Sequence, residues 1–164
     1  MANFRIWAPW RLAYVKDASK DNEEECIFCV KPGADDDRAN LIVHRGDRCF
    51  VILNLFPYTN GHLMVAPYEH IATLQELPAE TVAEMMALAQ RAMGRLEDVY
   101  DPQGYNVGLN QGRAAGAGVE HHIHLHVVPR WGGDTNFMPV LADVKVMPEH
   151  LAETREKLAA SWPT

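Results

Sequence analysis

The 164-residue sequence lacks the features of a membrane or secreted protein. No apolar run approaches the roughly 20 residues that a membrane-spanning helix needs. The N-terminal residues MANFRIWAPWRLAYVK contain Arg5, Pro9 and Arg11 where a secretory signal would be continuously apolar. We therefore expect a cytoplasmic protein that has no membrane partner.

Basic residues are outnumbered by acidic ones, 15 to 22, and the formal net charge is −7. Proteins that bind nucleic acid through its phosphates usually carry an excess of lysine and arginine on one face. The sequence therefore predicts no nucleic-acid partner. Any chemistry on phosphate groups must depend on local side chains and backbone N–H groups rather than on the charge of the whole molecule.

Cysteine is scarce: there are three, and two of them form the motif Cys26-Ile27-Phe28-Cys29. An odd number argues against the disulfide framework of a secreted domain. The two-residue spacing lets both thiolates bind one metal ion, although a redox pair has the same spacing and two small buried side chains would also fit. Cys49 begins an apolar run and is interpreted as a core residue.

The remaining sequence has no internal repeat, and its length suits one domain over residues 1–164 with a core of its own. The segment 17–40 is rich in acidic residues and breakers and predicts a loop around the CIFC motif. Apolar patterning predicts strands over 49–53, 62–66 and 105–109, a helix over 78–100, and a C-terminal helix over 148–162 with Pro148 in its first turn. Strands grouped around one long helix indicate an antiparallel α+β sheet.

Three alternating histidines, His122, His124 and His126, are the most informative feature that the sequence does contain. Aliphatic residues fill the gaps between them, so a strand would place the three imidazoles on one face and the aliphatic side chains on the other. Such a row can bind a metal ion. It can equally serve catalysis in which one imidazole attacks and a neighbour orients or protonates. The residues alone leave both possibilities open.

A glycine-rich loop over residues 111–118 precedes the histidines and favours phosphate chemistry. Gly112, Gly116 and Gly118 allow backbone N–H groups to approach an anion, and Arg113 with the amides of Asn110 and Gln111 would add donors. Next to a histidine row, this loop indicates phosphoryl or nucleotidyl transfer through a phosphohistidine-type intermediate.

At this point the chain resembles the histidine triad (HIT) superfamily of nucleotide hydrolases and transferases, whose motif alternates three histidines with hydrophobic residues. The run from His122 to Val128 matches that motif at every position. The resemblance extends to NGHLMVxP over 60–67, to YNVGLNxG over 105–112 and to VVPRWGGDxNF over 127–137. The last of these and the N-terminal WxPWRxxY over 7–14 look most like the diadenosine tetraphosphate (Ap4A) phosphorylase and hydrolase-like branch.

The resemblance implies a HIT-like antiparallel sheet with one long helix and a C-terminal helix, assembled as a two-fold homodimer. It divides the chain into an N-terminal extension over 1–25, a HIT core over 26–140 and a helical tail over 141–164. It also implies a nucleotide substrate of the dinucleoside polyphosphate type. An adenosine phosphoramidate hydrolase of the same superfamily and a nucleotide-binding module that recognises a partner are the alternatives. Transfer to water or to phosphate stays open.

Each matching residue acquires a role from the resemblance. His124 would attack the α-phosphorus to form a nucleotidyl-histidine, His126 would line the phosphate site and His122 would support His124. The implied nucleotide-binding residues are Asn54, His62, Asn110, Gln111, Gly116 and Gly118.

A structural zinc ion is the implied cofactor, because many bacterial members of the superfamily carry CIFC near the start of the chain. The resemblance assigns the ion to Cys26, Cys29, His70 and His122, with His44 as the competing fourth ligand. The role of His122 would then change from proton carrier to metal ligand.

Overall fold

An antiparallel five-stranded sheet forms the centre of the protein. The computed structural model describes residues 26–134 and 147–162. The predicted extension over 1–25, with its WxPWRxxY motif, lies outside these ranges, as do Asn136 and Phe137. In chain order the strands are β1 (Ile42–Arg45), β2 (Cys49–Leu53), β3 (Leu63–Pro67), β4 (Gly104–Leu109) and β5 (Leu125–Arg130), and their order in the sheet is β1-β2-β3-β5-β4.

Three helices accompany the sheet in the part of the chain that the structure describes, and together they confirm the predicted α+β class. They are α1 (Ile27–Gly33), α2 (Ala79–Tyr100) and α3 (Leu151–Ser161). Short 3-10 turns lie at Leu74–Glu76 and Arg113–Ala115. Within the described ranges, no helix combines the length and the apolar character that crossing a membrane requires.

Two of the predicted strands, over 49–53 and 62–66, correspond to β2 and β3, which pair antiparallel with a register that runs from Cys49 opposite Pro67 to Leu53 opposite Leu63. Strand β5 then lies between β3 and β4, with Leu125 opposite both Val65 and Leu109. Since side chains alternate between the faces of a strand, this register assigns each residue of β5 to one of two faces.

The two faces of the sheet bury different groups. One face packs against α2, whose buried residues Met85, Leu88, Ala89, Ala92 and Leu96 recur at the three- and four-residue steps expected of an amphipathic helix. The other face carries a smaller apolar cluster around Phe28 of α1. Met64, which lies opposite His126, belongs to this second cluster, so the histidines share the α1 face of the sheet.

Helix α2 confirms the prediction over 78–100 almost to the residue. It ends where Asp101 adopts a left-handed conformation (φ 46°) and Pro102 follows. Near its first turns the Glu84 carboxylate accepts hydrogen bonds from the backbone N–H groups of Asp47 and Arg48 at 2.7 and 2.9 Å. The long helix is thereby joined to the β1–β2 turn.

The structure differs from the sequence-based expectation in three places. The segment 17–40 was expected to be a loop, but its described part contains α1, which holds the CIFC motif. Strand β1 was not predicted, because four residues between a turn and Gly46 give too short an alternation to recognise. Helix α3 begins at Leu151 rather than Pro148, because His150 has extended backbone angles (φ −72°, ψ 142°) and flanks the helix instead of extending it.

The carboxylate of Glu149 attaches α3 to α2. It accepts hydrogen bonds from the hydroxyl groups of Tyr100 and Thr154 and from the ammonium group of Lys157. Burial alone would raise the pKa of Glu149, but these three donors outweigh it and lower the pKa to about 2. Folding therefore favours the ionised carboxylate.

We expect Glu149→Gln to lower the free energy of unfolding at pH 7, measured by urea denaturation. Because the folded pKa lies below the usual value of 4.5, the contribution of Glu149 is present above about pH 4.5 and is lost as the pH falls toward 2. The difference between wild type and variant should therefore shrink over that interval. Glu97→Gln, an exposed substitution on α2, is the control. A loss of unfolding free energy in Glu149→Gln that does not change with pH would contradict the lowered pKa of Glu149.

Candidate active site and metal centre

The three motif histidines lie on one face, but only His126 lies within a regular strand. His122 and His124 were predicted to belong to the strand, whereas β5 begins at Leu125. Pairing with β3 starts there, and just before it the backbone N–H of Ile123 bonds to the carbonyl of Ile71 at 2.7 Å instead of to a strand. The backbone still alternates, so Ile123 joins the α2 core while the rings of His124 and His126 lie 4.9 Å apart on the other side.

Backbone contacts fix the protonation of His124. Its Nδ1 lies 2.8 Å from the carbonyl oxygen of His122. A carbonyl only accepts, so we assign the ring proton to Nδ1, which leaves a lone pair on Nε2. Burial lowers the pKa of His124, while its bond to the His122 carbonyl opposes that effect in part. The neutral ring therefore presents a nucleophilic nitrogen.

His62 and His126 form a second ordered pair. The Nδ1 of His62 accepts the backbone N–H of Tyr58 at 3.0 Å and lies 3.3 Å from the amide nitrogen of Asn54. With Nδ1 accepting, the proton of His62 is on Nε2, which donates to Nδ1 of His126 at 2.9 Å. The proton of His126 is consequently on its own Nε2. Burial, followed by the nearby His124, lowers the pKa of His126 to about 4, so this ring is neutral at pH 7 and can donate one hydrogen bond.

The position of His62 depends on Gly61. This residue has a positive φ of 75°, and a β-carbon there would lie 2.8 Å from a methyl group of Leu96. Only glycine combines that conformation with such close packing against α2. The NG step of the sequence thus brings His62 into contact with His126.

Asn54 lies at the edge of the site, and its amide group already has two partners. Its Oδ1 accepts the backbone N–H of Phe56 at 3.0 Å while its nitrogen faces His62. The side chain is buried, so it orders the loop after β2 as well as the His62 ring. A direct contact of Asn54 with ribose stays a prediction.

A second cluster, next to the first, can hold a metal ion. The ligand atoms of Cys26, Cys29, His70 and His122 all lie within 4.8 Å of one another. Nδ1 of His122 is 3.4 and 3.6 Å from the two sulfur atoms, and Nδ1 of His70 is 3.2 Å from Cys29 Sγ. The four residues are the predicted ligand set.

His122 is oriented for that role. Its Nε2 donates to the carbonyl of Pro67 at 2.9 Å, so the unprotonated Nδ1 faces the two sulfur atoms. Burial lowers the pKa of His122 to about 4, against the opposing effect of the Pro67 bond. The pKa of the Cys29 thiol is raised to about 11, first by burial and then by the neighbouring Cys26. The raised pKa favours the protonated thiol. A divalent cation bound between the two sulfur atoms would favour the thiolate instead.

His44, the competing ligand, is wrong for this cluster. Its ring stacks on Trp162 at 4.2 Å with an interplanar angle of 11°, on the side of the sheet where Trp162 joins the α2 core. His121, the residue before the motif, is exposed. Cys49 is fully buried, which confirms that it is a core residue.

The glycine-rich loop begins beside the histidines. Leu109 pairs with Leu125, so Asn110 leaves β4 at the level of His124. Gly112 and Gly116 have φ of 79° and 83° and bracket a 3-10 turn. Gln111 accepts the N–H of Leu74 through Oε1 at 2.9 Å, so its NH₂ group is the part left to donate.

Arg113 differs from its predicted role, and the conformation of Gly118 gives no support for one. Arg113 was expected to supply donors to an anion, but its guanidinium pairs with Glu120 at 2.8 Å and is turned to solvent. Gly118 lies outside the left-handed region that Gly112 and Gly116 occupy. Contacts of Gly116 and Gly118 with phosphate stay predictions.

Two residues that contact the histidines, Phe28 and Tyr58, were not predicted from the sequence. Phe28 of α1 packs against the rings of His122 and His124 at 5.2 and 4.7 Å and so connects the two centres. Tyr58 supplies the N–H that fixes His62, and its ring lies 4.6 Å from that imidazole. A backbone N–H such as that of Tyr58 leaves no signal in a residue pattern.

Comparisons with known proteins agree with this geometry. The profile of the HIT domain family matches residues 37–133. An AP-4-A phosphorylase of Mycobacterium tuberculosis is 40% identical over 163 residues, covering 96% of this chain and 84% of its own length. Protein hit of Bacillus subtilis is 30% identical over 114 residues, covering 70% and 77%. The crystal structure of a Zn-bound histidine triad family protein from Mycobacterium smegmatis superposes with a TM-score of 0.67 at 30% identity, covering 85% and 94%.

We expect the purified protein to contain about one bound metal ion per chain, and Cys26→Ser to lose it, because one of four ligands is removed. Elemental analysis by mass spectrometry measures the content. Cys49→Ala, a cysteine outside the cluster, should keep the metal. Equal and negligible metal in wild type and Cys26→Ser would refute the site.

Proposed function

Given that the chain belongs to the HIT domain family, we propose that it cleaves dinucleoside polyphosphates such as Ap4A through a nucleotidyl-histidine on Nε2 of His124. One observation carries the proposal: the bond from His124 Nδ1 to the His122 carbonyl directs the ring lone pair to Nε2, and the ring of His126 lies 4.9 Å away. The similarity to an AP-4-A phosphorylase over most of both chains supports the substrate class.

In the first step the lone pair of His124 Nε2 forms a bond to the α-phosphorus, and the bond from that phosphorus to the bridging oxygen breaks. With Ap4A the leaving group is ATP and an adenylyl group remains on the imidazole. The ring now carries a positive charge, which the His122 carbonyl stabilises through the Nδ1–H bond. His126 Nε2–H donates to the departing oxygen and limits the charge that develops there.

In the second step an acceptor attacks the same phosphorus and restores the neutral ring of His124. Water as the acceptor gives AMP, and inorganic phosphate gives ADP. Because the reaction is divided into two displacements, each step needs only one oriented nucleophile. The site does not have to hold both nucleosides and the acceptor at the same time. The 40% identical relative is named as a phosphorylase, which favours phosphate as the acceptor.

We further propose that the metal is zinc. Two thiolates and two imidazoles are the borderline-soft donors that zinc prefers in tetrahedral sites, and four protein ligands leave no position for substrate. The ion would join α1 to the segment before β5 and hold the residue whose carbonyl orients His124. Thiol ligands persist in a reducing compartment, which supports a cytoplasmic location.

The sheet supports a homodimer. Strand β4 is the terminal strand, and its Asn106, Val107 and Gly108 are exposed. Within the described ranges this edge pairs with β5 on one side alone, and an open edge of six residues can pair with the same edge of a second copy.

The substrate class is tested by incubating the protein with Ap4A, with and without inorganic phosphate, and separating the products by chromatography. We expect ADP and ATP in a phosphate-dependent reaction. AMP and ATP without phosphate would indicate a hydrolase of the same substrate. No turnover under either condition would overturn the proposal.

We expect His124→Asn to lower turnover of Ap4A by at least about 10³-fold while nucleotide binding is retained, because the attacking lone pair alone is lost. Single-turnover kinetics and isothermal titration calorimetry measure the two quantities. His121→Asn, an exposed neighbour, is the matched control. Retained activity in His124→Asn would exclude it as the nucleophile.

A further inference from the structure

Two aromatic side chains are exposed on the loop between β2 and β3. Phe56 is 61% and Tyr58 48% accessible, and they are the aromatic residues among the large exposed hydrophobic residues of the described ranges. The neighbouring Leu55 is also half exposed. An apolar surface of this kind beside a polar site commonly marks a ligand contact rather than a packing defect.

The ring of Tyr58 lies on the side of the active site that His126 occupies. It is 6.0 Å from the His126 ring with an interplanar angle of 25°, and 4.6 Å from the His62 ring. The ring of His126 is also 4.9 Å from the ring of His124. Tyr58 and His124 are therefore both neighbours of His126.

The loop is held in place by the hydrogen bonds that order the histidines. The N–H of Tyr58 donates to His62 and the N–H of Phe56 donates to Asn54, both at 3.0 Å. The hydroxyl of Thr59 donates to the carbonyl of Pro129 on β5 at 2.8 Å. Both aromatic rings are therefore presented by a fixed backbone, which lowers the entropy lost when a ligand binds them.

We propose that Tyr58, extended by Phe56, is a stacking surface for the base of the second nucleoside, the one that departs with the polyphosphate. This inference rests on the proposed function. Because His126 donates to the departing oxygen, the rest of the polyphosphate leaves over His126 and meets Tyr58 next. Every base has an aromatic face, so stacking selects for the presence of a second nucleoside more than for its identity.

The test compares two ligands that share a phosphate chain and differ in the second nucleoside, Ap4A and adenosine 5′-tetraphosphate. In a His124→Asn background, isothermal titration calorimetry should show that Ap4A binds about tenfold more tightly, since one stacked base contributes about that factor. Adding Tyr58→Leu should remove most of this preference, and Tyr58→Phe should keep it. Met86→Ala, an exposed residue on α2, is the control.

Equal weakening of both ligands by Tyr58→Leu, or no weakening of either, would overturn the stacking surface. So would loss of a dimer in Tyr58→Leu by sedimentation, because Tyr58 would then be a subunit contact. Failure of the wild type to cleave Ap4A, together with a Tyr58-dependent preference for binding it, would overturn the proposed reaction and leave the stacking surface standing. The two inferences can therefore fail separately.

Discussion

A neutral imidazole has two nitrogens and one proton, and in this protein the backbone decides which nitrogen holds it. Each of the three buried histidines has one ring nitrogen bonded to a main-chain group: His62 to an N–H, and His122 and His124 to carbonyls. A ring nitrogen bonded to a carbonyl must carry the proton, and one bonded to an N–H must carry the lone pair. The opposite nitrogen is thereby assigned in every case: Nε2 of His62 donates, Nδ1 of His122 faces the two sulfur atoms, and Nε2 of His124 carries a lone pair.

His122 connects the two centres because its ring and its carbonyl act separately. The ring faces the sulfur atoms of Cys26 and Cys29, while the carbonyl accepts the proton of His124. Phe28 packs against both rings from α1. A metal ion in this cluster would fix the carbonyl without contacting the reacting phosphorus. Structural support and nucleophile orientation are therefore properties of one residue.

The sequence was sufficient for the sheet class, the β2–β3 pairing and the long helix, because alternation and amphipathic periodicity report directly on local geometry. The four metal-ligand candidates came instead from the resemblance to the HIT superfamily. Helix α1 was not predictable in this way, since Pro32 and Gly33 are poor helix formers and the segment depends on packing of Phe28 against the histidines. The His62–His126 bond joins residues 64 positions apart and depends on the strand register. Arg113 could not be excluded from the site until its ion pair with Glu120 was known.

The most direct test of this assignment is a nitrogen-15 NMR measurement of the imidazole tautomers in the metal-loaded protein at neutral pH. The structure requires the proton of His124 on Nδ1 and the protons of His62, His122 and His126 on Nε2. Long-range nitrogen–proton correlations distinguish the two forms at each ring. A His124 ring protonated on Nε2 would contradict the account, because the nitrogen assigned to attack would then have no lone pair.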